Sequence, residues 1–325
     1  MTAAAWQLPR IGRVHTHEST RKLARRLEAG TARILRATVA CDSSGRWHCS
    51  FTVAVRRAVE RGNRRRHACV GVDVGVRDLL VAADADGRQV LRVAAARSLS
   101  AAQAKLARLQ RKAARQTKGS NRRARTLRAV ARVHARAANI RGDAIDKATT
   151  TLAKTADVVV VADLNVAGMG SRKRGVGARG RGMNRALADA ALAEVRRQLG
   201  YNTAWYASRL VVADRWFPSS KTCSRCGRRK PSLRLDERTY RCAQPDCGLV
   251  ADRDRNAAVN LARWPDQAGL PSPGSGPVEV NSGQRADRDT DPAQAGDAGG
   301  DDLSTPHAAH AADQTGTATE QSEAA

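Results

Sequence analysis

The sequence predicts an α/β protein: a mixed β-sheet flanked by helices, with a four-cysteine module inserted ahead of the last helix. Three observations carry that expectation. Three adjacent strand-like segments are followed by helices that alternate with single strands. Cys223, Cys226, Cys242 and Cys247 form two close pairs separated by a basic stretch. The chain's 325 residues are enough for one or two domains with a real core.

Taken in order, residues 32–57 alternate apolar and polar side chains about a Ser-Ser-Gly turn, which reads as a β-hairpin in a small β-rich domain beginning near Leu8. The basic stretch 58–67 is a boundary loop. Val70–Val76, Asp78–Ala83 and Gln89–Ala94, joined by short turns, make an antiparallel meander. Residues 98–115 and 121–155 are helical. In the second helix Leu127, Val130, Val133, Ala137, Ile140, Ala144, Ala148 and Leu152 recur at three and four, giving one apolar face. Val158–Val161 is wholly apolar and belongs inside a sheet. A Gly/Arg loop covers 168–183, a helix 184–199, a fifth strand Leu210–Ala213, and a last helix Asp252–Trp264. This order is that of an RNase H-like domain spanning 68–264, with the cysteine module at 216–250.

Charge divides the chain sharply. The net charge is +26, from 57 basic and 31 acidic residues. From Pro265 onward there are 11 acidic and 2 basic residues and no aromatics, which leaves 55 basic and 20 acidic residues before it. Residues 265–325, rich in Pro, Gly, Ala and Asp, cannot bury enough apolar surface to fold and read as a disordered acidic tail. The basic body calls for a polyanion partner, DNA or RNA. No apolar run approaches 18 residues and no signal peptide is visible, so a membrane role is not expected and a cytoplasmic chain is. Arg122, Arg123, Arg125, Arg128 and Arg132 on the long helix, Arg172, Lys173 and Arg174 in the Gly/Arg loop, and Lys221 are the expected nucleic-acid contacts.

Two carboxylates stand out. In Val70-Gly71-Val72-Asp73-Val74-Gly75 the valines share one face and Asp73 takes the other, with glycines that would let a phosphate backbone approach. Asp254 opens the last helix in Asp-Arg-Asp-Arg-Asn-Ala-Ala, where Asn256 can fix the turn or a substrate and Asp252 caps the helix. Carboxylates so placed suit a pair of Mg²⁺ ions in phosphodiester hydrolysis. A third should come from the strand at 158–161, yet that position is Ala162. Asp163 next to it points to the opposite face unless a bulge turns it back.

Cys223-x2-Cys226 and Cys242-x4-Cys247 can enclose one Zn²⁺ in a closed, structural site, against free thiols or a disulfide pair. Cys41, Cys49 and Cys69 are expected as reduced core residues. Trp205, Tyr206, Trp216 and Phe217 are expected to pack beside the fifth strand and the cysteine module, although they could stack on bases.

Gly-Val-Asp-Val-Gly-Val around Asp73, Ala-Asp-Leu-Asn-Val-Ala-Gly-Met (162–169), Trp-Phe-Pro-Ser-Ser-Lys-Thr-Cys-Ser-Arg-Cys-Gly (216–227) and Cys-Gly-Leu-Val-Ala-Asp-Arg-Asp-Arg-Asn-Ala-Ala-Val-Asn-Leu (247–261) together resemble the TnpB, or OrfB, family. Its members are transposon-encoded, RuvC-like, RNA-guided DNA endonucleases. The resemblance implies that Asp73 and Asp254 are the first and last catalytic, Mg²⁺-binding carboxylates and that the four cysteines hold zinc. It also implies a guide RNA and target DNA as partners. Residues 1–67 resemble the later part of the family's wedge domain, so the chain is expected to be N-terminally truncated. The family's catalytic Glu falls at Ala162, and Asn202 stands where relatives often carry a nucleic-acid-contacting Lys. Active cleavage, a nuclease-dead repressor-like binder and a decayed relic are the competing expectations. A ribosomal or transcriptional zinc-ribbon protein would explain the charge and cysteines but not Asp73 or the Asp254 helix.

Overall fold

The computed structural model describes residues 5–8, 10–56, 67–170, 178–234 and 236–269. The elements in chain order are β1 (Ala5–Leu8), β2 (Gly12–His15), α1 (Arg21–Glu28), β3 (Ala32–Cys41), β4 (Trp47–Val55), β5 (His67–Val74), β6 (Asp78–Asp84) and β7 (Gln89–Ala94). These are followed by α2 (Ser98–Ala114), α3 (Asn121–Thr155), β8 (Ala156–Ala162), α4 (Val166–Gly170), α5 (Ala178–Ala190) and α6 (Leu192–Trp205). The last are β9 (Arg209–Ala213), β10 (Thr239–Arg241), β11 (Val250–Asp252) and α7 (Arg253–Gln267).

The central sheet has the order β7-β6-β5-β8-β9. β5, β6 and β7 pair antiparallel, whereas β8 runs parallel to β5 and β9 parallel to β8. The class is therefore mixed α/β. Strand alternation divides the core. Val70, Val72, Val159 and Val161 face Ile145 and Leu152 of α3 and Val195 and Leu199 of α6. Val158, Val160, Val211 and Ala213 face Leu261 of α7. Both faces of β8 are covered, which is why its sequence is an unbroken apolar run.

Gly71 is where α7 comes closest. A Cβ there would lie 2.0 Å from the Ala258 carbonyl and 2.3 Å from the Ala262 amide. A Cβ on Gly75 would meet the Asp78 carbonyl at 3.1 Å. The two glycines serve helix packing and a turn rather than the approach of a phosphate backbone.

Several expectations need correction. The stripe of α3 drifts: Leu127 and Ile140 are exposed, and Thr126, Ile145 and Thr149 are buried in their place. The helix expected over 184–199 is two helices, broken where Ala191 takes φ 50°. Part of the expected Gly/Arg loop, from 178, is helical. Helix α7 continues through Pro265 to Gln267, past the expected end at 264. The short α1, with no buried residue, lies in a region read as β-rich. Cys41 is exposed and Cys49 half-buried, so neither is a core residue. The bulk of the acidic tail, 270–325, falls outside the described residues.

Candidate functional site

The site forms where β5 meets the head of α7. Cys69, Gly71 and Asp73 share the face of β5 that packs on α7, with the Cys69 thiol donating to the Ala262 carbonyl at 3.1 Å. Helix α7 begins at Asp252, whose carboxylate caps it by accepting the amides of Asp254 (3.1 Å) and Arg255 (3.0 Å). Burial raises the Asp252 pKa, but the Arg255 amide and the Arg92 guanidinium at 2.7 Å outweigh it and hold the carboxyl below its ordinary value. Asp252 is thus consumed by the cap and by β7.

Asp254 projects from the first turn and contacts Arg253 at 3.6 Å. Asp73 is half-buried at the floor of the site. Loss of hydration, and then the charge of Asp254, push its carboxyl from 3.8 up to about 8, with Arg253 opposing. The fold thus places two carboxylates in mutual repulsion. A divalent cation between them would relieve that repulsion, so the pair suits Mg²⁺ chemically.

The third position is empty of a carboxylate. The parallel register of β5 and β8 runs Gly71↔Val160 and Val72↔Val161, which sets Ala162 beside Asp73 on the α7 face. Asp163 cannot substitute. The β8–β9 register runs unbroken from Val158↔Arg209 to Ala162↔Ala213, with no bulge to turn the chain. Its carboxylate is held instead by Arg196 of α6 and by Arg215, which grips one oxygen with Nε at 3.1 Å and a terminal nitrogen at 2.6 Å. Those guanidiniums hold it below its ordinary pKa.

The four cysteines meet. The Sγ atoms of Cys223 and Cys247 are 3.6 Å apart, as are those of Cys226 and Cys242, and all four lie within 4.8 Å of one another. A tetrahedron with Zn–S bonds of about 2.3 Å has edges of about 3.8 Å, so the cluster fits that ion. The Arg228 amide lowers the Cys226 thiol to about 7, toward the thiolate a metal needs. The module is bolted to α7. Asn256 accepts the Ser224 amide (2.9 Å) and donates to the Thr222 carbonyl (2.7 Å), while Asn260 donates to the Ser219 (2.8 Å) and Thr222 (2.7 Å) carbonyls. Asn256 therefore fixes the turn, not a substrate. Asn260 was given no role by the sequence, though its spacing one helical turn after Asn256 is the available signal.

The expected nucleic-acid contacts divide. Arg122, Arg125 and Arg128 are exposed on α3. Arg123 is half-buried, and Arg132 donates to the Ser44 carbonyl of the β3–β4 turn at 3.3 Å. The Lys221 amine reaches the Pro231 carbonyl at 3.4 Å. Arg172, Lys173 and Arg174 lie outside the described residues. Asn202 is no nucleic-acid contact: it is buried and donates to Thr149 Oγ1 at 2.9 Å, which in turn donates to Gln198. Trp205 and Trp216 are exposed rather than packed, and only Phe217 joins the core below β9.

Residues 50–173 match the OrfB_IS605 family, described as "Probable transposase", and residues 193–261 match the Cas12f1-like TNB domain. The chain is a relative of the OrfB family. A protein of Mycobacterium tuberculosis named "Putative RNA-guided DNA endonuclease" is 43% identical over 289 residues, 89% of this chain and 60% of its own length. Escherichia coli InsQ, of the same description, is 31% identical over 235 residues, 70% of this chain and 56% of InsQ. The chain thus spans about 60% of the length of the mycobacterial protein and 56% of that of InsQ. A solved CRISPR-Cas12f ternary complex aligns at 17% identity with a TM-score of 0.45, covering 83% of this chain and 52% of that one. Among the described residues no helix is long and apolar enough to cross a membrane.

Proposed function

We propose that this chain carries the RNase H-like, RuvC-type part of an RNA-guided DNA-binding protein and that it holds nucleic acid without efficiently cutting it. The observation that carries the reading is Asp73 lying close enough to Asp254 for the two charges to repel, with Ala162 next to Asp73 in the register of β8. The order β7-β6-β5-β8-β9, with β6 antiparallel to its neighbours, supports the RNase H-like assignment. Residues 1–67 are assigned to a wedge-like domain and 68–264 to the nuclease-type domain with its zinc ribbon at 216–250, and the acidic stretch follows the end of α7 at Gln267.

Asp73 and Asp254 would hold Mg²⁺, which when bound supplies an activated water and charge neutralisation. Arg253 keeps Asp254 aimed, and the Asp252 cap fixes the helix head that carries it. With Ala162 the site offers no third carboxylate on β8. Changes even one layer away from a metal typically cost about 10–100-fold, and loss of a direct ligand costs more. Cys223, Cys226, Cys242 and Cys247 would hold a Zn²⁺ that stabilises the ribbon and performs no chemistry. Guide RNA and DNA are the expected partners.

The test is Mg²⁺-dependent cleavage of guide-matched DNA by the protein co-expressed with RNA from its downstream flank, beside Ala162→Glu. Ala162 is half-buried at the end of β8, on the face it shares with Val158 and Val160. Both proteins should retain RNA and bind DNA, and only the Glu variant should cut appreciably. Equal cutting by both, or loss of RNA from both, contradicts the proposal.

A further inference from the structure

We infer that an anion site lies beside the carboxylate pair and seats a backbone phosphate of a nucleic-acid strand. The inference rests on the proposed nucleic-acid-binding function. The site is a cleft of about 420 Å³ between the β5–β6 turn, the head of α2, α5 and the ribbon. Arg77 of the turn, Arg97 before α2 and Arg238 of the ribbon line it, so three guanidiniums arrive from three separate elements.

Their charges outnumber the one carboxylate that lines the cleft. Among the described residues, no carboxylate pairs with the three guanidiniums and no carbonyl accepts a hydrogen bond from them. One carboxylate, that of Asp189, borders the cleft, but its oxygens accept the amides of Leu99 and Ser100 at 3.1 Å each and cap α2. Arg238 acts on Asp236 electrostatically, yet Asp236 is gripped by Arg234 at 3.0 and 2.8 Å. Three guanidiniums beside one carboxylate leave the cleft with an excess of positive charge that an entering anion would offset. The planar donor fork of arginine matches a phosphate better than a point charge does. Arg97 also sits at φ 47°, a conformation a non-glycine residue adopts at a cost, which is more often met at binding sites.

The position ties the cleft to the carboxylates. Arg77 follows Asp73 by one turn of chain. The Arg238 carbonyl accepts the Arg253 amide at 2.8 Å, and Arg253 contacts Asp254. A strand crossing Asp73 and Asp254 therefore finds its next phosphates in this cleft. The contact is independent of the exposed arginines of α3.

The experiment measures single-stranded oligonucleotide affinity by fluorescence anisotropy between about 50 and 300 mM salt, a range over which phosphate contacts are strongly screened. Wild type is compared with Arg77→Gln and with the Arg77→Gln, Arg97→Gln, Arg238→Gln triple variant. The triple variant should bind about tenfold more weakly at low salt, with a log–log salt slope shallower by roughly 0.7 for each phosphate no longer held. Melting should show it folded, because repulsion has been removed. Arg77→Gln alone, in an exposed turn, should shift the same way by less, and it decides the matter if the triple variant does not fold. Unchanged slopes with intact wild-type binding overturn the cleft but leave the proposed function standing. No binding by wild type removes both. Full displacement of the oligonucleotide by inorganic phosphate at matched ionic strength would make this a free-anion site and overturn the backbone assignment.

Discussion

At the scale of single residues, Asp73 is the most constrained group in the site. Its carboxyl is raised from 3.8 to about 8, first by lost hydration and then by Asp254. An acid whose pKa is higher folded than unfolded binds protons more tightly in the folded state, so folding loses stability as pH rises from about 4 to about 8 and recovers none above it. In metal-free protein Asp73→Asn should therefore raise the melting temperature by several degrees at pH 8 and leave it unchanged near pH 4. Mg²⁺ should stabilise wild type and have little effect on the variant. A variant less stable than wild type at pH 8 contradicts this picture. Asn202 gives a second check. Asn202→Lys would bury an ammonium among Thr149 and Gln198 and should cost about 3 kcal/mol or more in urea unfolding. Unchanged stability would mean the side chain reaches solvent. Asp73 was legible because period-two alternation exposes a lone carboxylate in an apolar strand. The buried role of Asn202 was not, because its partner Thr149 lies 53 residues earlier in the chain.

At the scale of elements, two joints hold the site together: β5 against α7, and the ribbon against α7. Gly71→Ala forces a methyl into the α7 backbone, where no flexible side chain can yield, and should destabilise by about 3 kcal/mol or more in chemical denaturation. A neutral result would mean that α7 stands further from β5. If the four cysteines hold a metal as proposed, chelating it should free Cys223–Cys247 and, through Asn256 and Asn260, loosen the head of α7 that carries Asp254. Hydrogen exchange should then rise in both 219–252 and the first turns of α7, while exchange confined to the ribbon would show the joint to be weak. Strands β3 to β9, α2 and α3 were legible within a few residues, since periodicity and turn residues agree there, whereas the short strands β1, β2, β10 and β11 were not. The α5–α6 break was not. No Gly or Pro marks Ala191, and the break is set by tertiary packing, with Asp189 turned in to cap α2.

At the scale of the molecule, charge and chemistry point the same way. The basic body is organised around one five-stranded sheet that carries a two-carboxylate site where β5 meets α7. Replacing the exposed Arg122, Arg125 and Arg128 with Gln should flatten the salt dependence of nucleic-acid binding without altering sequence preference, because phosphate contacts carry no base information. A changed preference with an unchanged slope would assign those residues to base contacts instead. The central claim is that Asp73 and Asp254 form an incomplete metal site, and metal affinity tests it most directly. Mn²⁺ titration of the zinc-loaded protein, followed by calorimetry, should show weak binding in wild type and at least tenfold tighter binding in Ala162→Glu. Tight binding of two ions by wild type, unimproved by the glutamate, would contradict it.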